Sequence, residues 1–428
     1  MKESGIDWIG QIPEEWEVTR IKNIVSIERG ASPRPIDKFI SDDDTGVNWI
    51  RIGDTYKGNK YITSTKLKIT NRGKQFSRYI HPGTLILSNS MSFGEPYISS
   101  IYGCIHDGWL SLAPYKNISK EYLYWLLLSD VCTSQFNLVS IGAVVENLSV
   151  DKVGNTLVSM PYSLSEQQKI ADFLDKKTAQ LDKAKALLEE QIQKLKDYRA
   201  SLIYETVTKG LDKTVPMKDS GIDWIGQIPQ GWGVIKFKHL GDVKQGLTYS
   251  PSDIVDKDEG ILVLRSGNIQ NGILDFNNNV YVKTKVAESI LLRKNDILIT
   301  ARNGSSALIG KNAIIDTDIK ATFGAFMMVF RANKSLFAKF AFYLMNVSFN
   351  FYRTFFTTST VNQLTAAIFN GIEVPLPSIY EQKKITDFLD GKTVQIDKLI
   401  QIKNQQIENI NKQRQTLIYD YVTGKRRV

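Results

Sequence analysis

The sequence predicts a mixed α/β chain: two similar α/β bodies separated by two long helices that form an antiparallel coiled coil, the whole pseudo-twofold symmetric. Three observations predict this. The opening "KESGIDWIGQIP" (2–13) returns as "KDSGIDWIGQIP" (218–229), with eleven of twelve residues identical. "EQQKIADFLDKKTAQLDK" (166–183) returns as "EQKKITDFLDGKTVQIDK" (381–398), with thirteen of eighteen identical. Leu174, Leu181, Leu188, Leu195 and Leu202 recur every seven residues, and Leu389, Ile396, Lys403, Ile410 and Leu417 repeat that spacing with one polar interruption. A repeat this long exceeds the 20–50 residues of a solenoid and indicates duplication of a whole domain with its connector.

The first body occupies residues 1–162. Its β-rich run "TLILSNS" (84–90) and the apolar helix "KEYLYWLLLSD" (120–130) predict short strands broken by turns, followed by helix. The first spacer helix, 163–210, starts where Ser163 and Glu166 fit a capping box, and Gly210 follows its end. Its second seam row, Thr178, Lys185, Ile192 and Arg199, is answered by Thr393, Ile400, Ile407 and Arg414. The two rows together make a coiled-coil seam with embedded polar positions. The second body, 211–376, carries "GILVLRS" (260–266), "NDILIT" (295–300) and the aromatic helix "SLFAKFAFYLMNVSFNFY" (335–352), whose rings are expected in its core. The second spacer helix, 377–428, repeats the Ser378/Glu381 start and the Gly424 stop. Each helix begins at its own body, so pairing them makes the arrangement antiparallel. At 1.5 Å per residue, a helix of about 44 residues is roughly 65 Å long. The repeat fades inside the bodies, yet "WIRIGD" (49–54) still faces "VLRSGN" (263–268), and "VENL" (145–148) faces "VNQL" (361–364).

Composition narrows the function. Two cysteines and three histidines form no disulfide framework and no zinc spacing, so no metal or cofactor is expected. The longest apolar run, "YLYWLLL" (122–128), is too short to span a membrane, and the N-terminus lacks the pattern of a secretory signal, so a cytoplasmic protein is expected. "GKT" (391–393) has Thr386 where a phosphate loop needs glycine, and "GWG" (231–233) ends in Lys236 instead of completing GxGxxG. No Pro-Pro pair is present, which removes the amino-methyltransferase motif, and His81, His106 and His239 lack a nucleophile–acid pattern. The chain reads as a binder, without an active site of its own.

The net charge of +9 is spread along the chain, residues 1–164 being neutral overall. Local depletion of acids is the stronger signal. No carboxylate lies between Asp54 and Glu95, nor between Asp318 and Glu373, while both stretches carry several Lys and Arg. Two divergent heads on a spacer suit duplex DNA, whose major groove recurs about every 34 Å. Arg and Lys suit guanine edges and phosphates; Asn, Ser and Thr suit adenine and backbone. The candidates are Arg51, Lys57, Arg72, Lys74, Arg78, Ser88 and Asn89 in the first head. In the second they are Arg265, Asn268, Arg302, Asn303, Ser305 and Lys320. Because the heads differ, the target is expected to be asymmetric and split.

The "SGIDWIGQIP" opener, the P-x(4)-EQ-x-KI-x-DFLD-x-KT helix start and the body–helix–body–helix order resemble the specificity subunit of a type I restriction-modification enzyme. The resemblance covers the full chain. It implies that each body is a target-recognition domain reading half of a split DNA site. It further implies that the helices space the heads and dock two adenine-methyltransferase subunits, and that an ATP-dependent motor-nuclease subunit completes the complex. The subunit itself would then catalyse nothing. A stand-alone two-headed DNA-binding regulator, an anti-restriction scaffold and a purely structural coiled-coil adaptor are the alternatives. The paired tryptophan–isoleucine steps Trp8/Ile9 and Trp224/Ile225 either pin each head to the helices or a methyltransferase, or complete each head's core.

Overall fold

The structure is a computed structural model that describes residues 1–6, 9–90, 93–138, 147–356 and 362–428. Trp8, and parts of the "VENL" and "VNQL" segments, lie outside the described residues. The chain divides into two compact units, residues 1–189 with 404–428 and residues 190–403. Each holds one head with a stretch of each long helix.

In the first unit one five-stranded sheet runs Val25–Arg29, Trp109–Pro114, Leu85–Ser88, Pro96–Ser99, Tyr61–Ile62 in spatial order. A second runs Ile40–Ser41, Leu67–Ile69, Val47–Ile50, Gly103–Ile105, Arg78–Ile80. Central strands such as Leu85–Ser88 and Pro96–Ser99 are buried at every residue, as strands covered on both faces must be. The second unit has a shorter version. Its sheets run Gly241–Gln245, Met327–Ala332, Ile297–Thr300, Asn312–Ile314, and Ile254–Val255, Val280–Val282, Ile261–Leu264, Ala321–Phe323. One feature of the topology orients everything functional. Val47–Ile50 pairs in parallel with Gly103–Ile105, Trp49 opposite Cys104, and Ile261–Leu264 pairs in parallel with Ala321–Phe323, Leu262 opposite Ala321. Parallel neighbours send both C-terminal ends to one sheet edge, so the loops after them meet.

The long helices span Leu164–Lys209 and Ile379–Val422. In the first unit Phe173 packs on Tyr421 with ring centroids 4.4 Å apart, and Arg414 Nε lies 3.5 Å from Asp182. In the second, Arg199 Nε lies 3.5 Å from Asp397, and Lys403 Nζ donates to Gln191 Oε1 at 2.6 Å. In both units one residue number rises as its partner's falls, so the helices are antiparallel. Leu174, Leu389 and Ile396 of the seam are buried; Leu181, Leu188, Leu195, Leu202, Ile410 and Leu417 are half-buried, and none is exposed. Between Leu181 and Leu202 only Ile192 is fully buried, because two helices alone cannot enclose a side chain. Lys403 meets the apolar seam by bonding a glutamine, and the two Arg–Asp pairs are half-exposed contacts worth at most about 1 kcal/mol each.

The duplicated helix start has a physical explanation. Glu166 N–H and Glu381 N–H donate to Ser163 Oγ and Ser378 Oγ, both at 3.3 Å, forming half of the expected capping box. The glutamate side chains do not return to the backbone. Glu166 accepts the indole N–H of Trp16 at 3.2 Å, and Glu381 that of Trp232 at 3.1 Å. The fully buried Gln167 accepts Ser119 N–H at 2.8 Å and donates to Pro161 O at 3.0 Å. Gln382 accepts Phe337 N–H at 2.7 Å and donates to Pro377 O at 3.0 Å. Asp175 accepts Lys60 Nζ at 2.6 Å and Trp125 Nε1 at 2.9 Å; Asp390 accepts Lys339 Nζ at 2.6 Å and Tyr343 Oη at 2.7 Å. The repeated letters E, Q and D are thus three successive anchors from helix to head.

The duplicated opener completes the same joint. Ile6, Ile9 and Ile12 belong to the core of the first unit with Ile170, Leu174, Ile418 and Val422, and Trp224, Ile225 and Ile228 to that of the second. Trp224 and Ile225 share that core with Ile203, Val207 and Leu389 of the long helices and with Phe237 and Phe340 of the head. In the aromatic helix Ala338–Tyr352, Phe340 and Phe349 are buried as expected, whereas Phe351 is exposed.

Removing the Asp175 carboxylate leaves Lys60, whose side chain is only 12% exposed, without its counter-charge. Asp175→Ala, which also removes the acceptor of Trp125 Nε1, is expected to destabilise the first unit by about 2 kcal/mol, seen as an earlier urea unfolding transition. A change under about 1 kcal/mol would rule out the anchor.

Candidate nucleic-acid interface

Arg51 follows strand Val47–Ile50, and Arg265 follows the matching strand Ile261–Leu264. Both open the same tight turn. Arg51 N–H donates to Asp54 Oδ2 at 2.9 Å while Asp54 N–H donates to Arg51 O at 3.0 Å. Arg265 N–H donates to Asn268 Oδ1 at 2.9 Å while Asn268 N–H returns to Arg265 O at 2.9 Å. The short polar side chain three residues on closes the turn and fixes where each arginine leaves the sheet.

In the first head the loops after Val25–Arg29, Val47–Ile50, Leu85–Ser88 and Gly103–Ile105 converge on His106 and Asp107. Asp107 O accepts Asn89 Nδ2 at 3.0 Å and Arg29 Nε at 3.0 Å. Its carboxylate accepts Ser32 Oγ at 2.7 Å and Arg34 Nη2 at 3.1 Å. The Ser32 bond is the first cause holding the Asp107 carboxyl below its usual range. His106 Nδ1 accepts Gly108 N–H at 2.8 Å, and burial pushes the imidazole below its usual value near 6.5, Asp107 opposing. Arg78 joins this cluster from the sheet edge, donating to Arg29 O at 2.8 Å and to Glu28 Oε2 at 2.5 Å.

In the second head the loops after Ile261–Leu264, Ile297–Thr300 and Ala321–Phe323 converge with residues 362–364. Ala301 and Arg302 N–H donate to Phe326 O at 2.9 and 3.0 Å, and Leu364 N–H donates to Ala301 O at 2.8 Å. Arg302 Nη2 donates to Gln363 Oε1 at 2.8 Å, with its guanidinium 5.7 Å from the Phe326 ring centroid. Lys311 Nζ donates to Ser266 O at 3.3 Å, and burial lowers its pKa.

The expected contact residues therefore sort into groups. Arg51, Arg78, Arg265 and Arg302 belong to these clusters. Ser88, Asn89 and Asn268 also lie there but are 0–1% exposed. Asn89 and Asn268 use their amide N–H groups on backbone oxygens, Asn268 Nδ2 on Asp275 O at 2.9 Å; these three are part of the scaffold of the loops. Asn303 Oδ1 accepts Ser305 N–H at 3.0 Å, shaping the 302–305 turn. Arg72 and Lys74 are on the short helix Asn71–Lys74, Lys74 Nζ lying 3.6 Å from the Tyr79 ring centroid, and Ser77 just beyond it donates to Ala31 O at 2.7 Å. Lys57 pairs with Glu95 at 3.3 Å. Lys320 precedes strand Ala321–Phe323, at the end away from the cluster. Arg34, Asp107, Lys311, Phe326 and Gln363 were not legible as site residues, because only the strand directions bring them together.

The heads differ in charge compensation. In the first, Arg34, Arg51, Lys57 and Arg78 each have a carboxylate within 4 Å, at 3.1, 3.8, 3.3 and 2.5 Å, and of the cluster's arginines Arg29 alone bonds only a backbone oxygen among the described residues. In the second, Arg265, Arg302, Lys311 and Arg353 bond only neutral oxygens among the described residues. The described residues contain no group of three or more His, Cys, Asp or Glu placed to hold a metal, and no helix long and apolar enough to cross a membrane.

Fold and loop clusters define a protein made from two copies of one α/β recognition module. Residues 13–196 and 229–412 each match the type I restriction modification DNA specificity domain, and the chain belongs to that family. It is similar to the EcoKI specificity subunit of Escherichia coli K12, 31% identical over 47% of this chain and 44% of that one. It is similar to the MjaX specificity subunit of Methanocaldococcus jannaschii, described as putative, at 27% over 98% of this chain and 96% of that one. The chain thus spans under half of its EcoKI relative but nearly all of the archaeal one. Two solved structures share the fold. One, from work on complex assembly and conformational transition of a type I R-M system, covers 97% of this chain and all of that one, with a TM-score of 0.78 and 16% identity. The other, the HsdS subunit of Thermoanaerobacter tengcongensis, covers 97% of this chain and 98% of that one, with a TM-score of 0.54 and 15% identity.

His106 sets a pH dependence. Its folded pKa is depressed, so its contribution to stability is intact above pH 6.5 and is lost as pH falls toward the folded value. His106→Gln is expected to flatten the decline of thermal stability of the first head between about pH 7 and 5. An equally steep decline in the variant would exclude the histidine as its source.

Proposed function

We propose that the chain is the DNA-reading subunit of a type I restriction-modification complex, each head recognising one half of a split, asymmetric site on double-stranded DNA. The observation that carries this is the twin Arg51 and Arg265 turn, set at equivalent sheet edges among loops that otherwise differ. Equivalent placement gives both heads one docking mode; divergent neighbours give each its own sequence. The arginines supply bidentate donors for guanine or phosphate, and Arg302 extends the second cluster.

The partners on this reading are two adenine-methyltransferase subunits seated on the helices and a motor-nuclease subunit. The chain itself supplies recognition, and the chemistry belongs to the partners. The heptad helices set the number of base pairs between the half-sites. Residues 1–162 and 211–376 serve as the exchangeable heads, with 163–210 and 377–428 as connectors.

Arg51→Ala and Arg265→Ala are each expected to weaken binding of the full-length chain to its own site by about 5- to 150-fold, each changing one half-site only. Exchanging residues 1–162 for another head should alter one half of the methylated-adenine motif read by modification-sensitive sequencing of the host genome. Change in both halves, or in neither, would overturn the assignment.

A further inference from the structure

The second head holds an arginine–glutamine pair that the described residues of the first head do not repeat. The backbone bonds around it, Ala301 N–H to Phe326 O and Leu364 N–H to Ala301 O, do match Asn89 N–H to Gly108 O and Leu148 N–H to Asn89 O. Arg302 and Gln363 sit opposite each other in an isolated antiparallel bridge, and their side chains meet at 2.8 Å. A guanidinium only donates, so the Gln363 atom facing it is the carbonyl oxygen. The Gln363 amide nitrogen has no hydrogen-bond partner among the described residues. Its two N–H groups and the remaining N–H groups of Arg302 then form an edge made entirely of donors. The pair is fixed from behind: Arg302 N–H is bonded to Phe326 O at 3.0 Å, and Asn362 Nδ2 to Gly304 O at 3.1 Å. Phe326 stands beside it, 60% exposed, an apolar surface next to the donor edge. The Arg302 guanidinium lies 5.7 Å from its ring centroid, so ring and donor edge are held side by side.

Resting on the DNA-reading function proposed above, we infer that Arg302, Gln363 and Phe326 form the base-reading element of the second head, and that it selects a guanine next to a thymine. Only guanine shows two acceptors and no donor in the major groove, N7 and O6, which an all-donor edge matches. Adenine and cytosine each place an amino donor there, which would face Arg302 or Gln363 donor to donor. Thymine alone adds a methyl group for an apolar ring to touch. Locking Gln363 with Arg302 removes the ambiguity of a free glutamine, which otherwise pairs with adenine through both its donor and its acceptor. The first head has Asp107 and His106 in the corresponding loop, so it does not share this preference.

The test uses the full-length chain, purified from its host with the subunits that accompany it, and selection from a library of random duplexes. One enriched half-site is expected to contain guanine beside thymine. Against that site, 7-deazaguanine is expected to lower wild-type affinity by about 5- to 150-fold, and uracil in place of thymine by several-fold. Phe326→Ala should abolish the thymine-to-uracil difference while keeping guanine selection. Gln363→Glu, which adds an acceptor, should relax or shift the guanine position. Two split half-sites that lack guanine-thymine, or variants at these residues that alter neither half-site, would overturn this element and leave the DNA-reading function standing. Failure of the wild type to enrich any sequence would overturn both.

Discussion

Everything in each unit depends on one joint: a buried glutamine flanked by two acids at the start of a long helix. Gln167 and Gln382 are 0% exposed and use both ends of their amides, so displacing either leaves unpaired polar groups in a dry site. The preceding glutamate fastens an indole, and the aspartate eight residues further on fastens a lysine together with an aromatic donor. These bonds spread over about half of the helix circumference, since at about 100° per residue Gln167 lies about 100° and Asp175 about 180° round from Glu166. The joint therefore sets both the position and the rotation of the helix against its head. The apolar opener then fills the space beneath it.

This separates what duplication kept from what it changed. The near-identical segments are those that hold head to helix, where an altered side chain would strand a buried partner. The stretches that faded are loops at the sheet edges, where a substitution disturbs only its own turn. The Arg–x–x–Asp/Asn turn lies between these extremes. Its backbone hydrogen bonds are the same in both heads, while Ile52 and Ser266 inside it differ.

Much of the architecture was legible from periodicity, because a seven-residue repeat is a direct record of which helix face is covered. Leu174 through Leu202 and Leu389 through Leu417 could be read off in this way. The anchors were not legible as anchors. Glu166 and Glu381 fit a capping box so well that their bonds to Trp16 and Trp232 carried no separate signal. The candidate site was legible only in part, for two physical reasons. Polar residues in loops serve equally as ligand contacts or as internal scaffold, and burial alone assigns Asn89 and Asn268 to the second role. Strand direction also decides which loops meet. It brings Arg302 to Phe326 and Gln363 and sends Lys320 to the other end of its strand.

The contrast in charge compensation bears on how two related heads divide the work of binding a polyanion. A cation already paired with a carboxylate must exchange that partner for a phosphate, so much of the Coulomb gain is cancelled. What remains is geometric selectivity, since the pairs hold Arg34 and Arg78 in fixed directions. A cation bonded only to carbonyl or amide oxygens has no such exchange to make, and its contribution falls with added salt as counterions are released from the nucleic acid. On the proposed function, the second head carries the larger salt-dependent share of affinity, and the first contributes through the shape of its locked loops. Lys311 fits that division: burial already disfavours its charge with no acid beside it, so an approaching anion relieves a cost that the free protein bears.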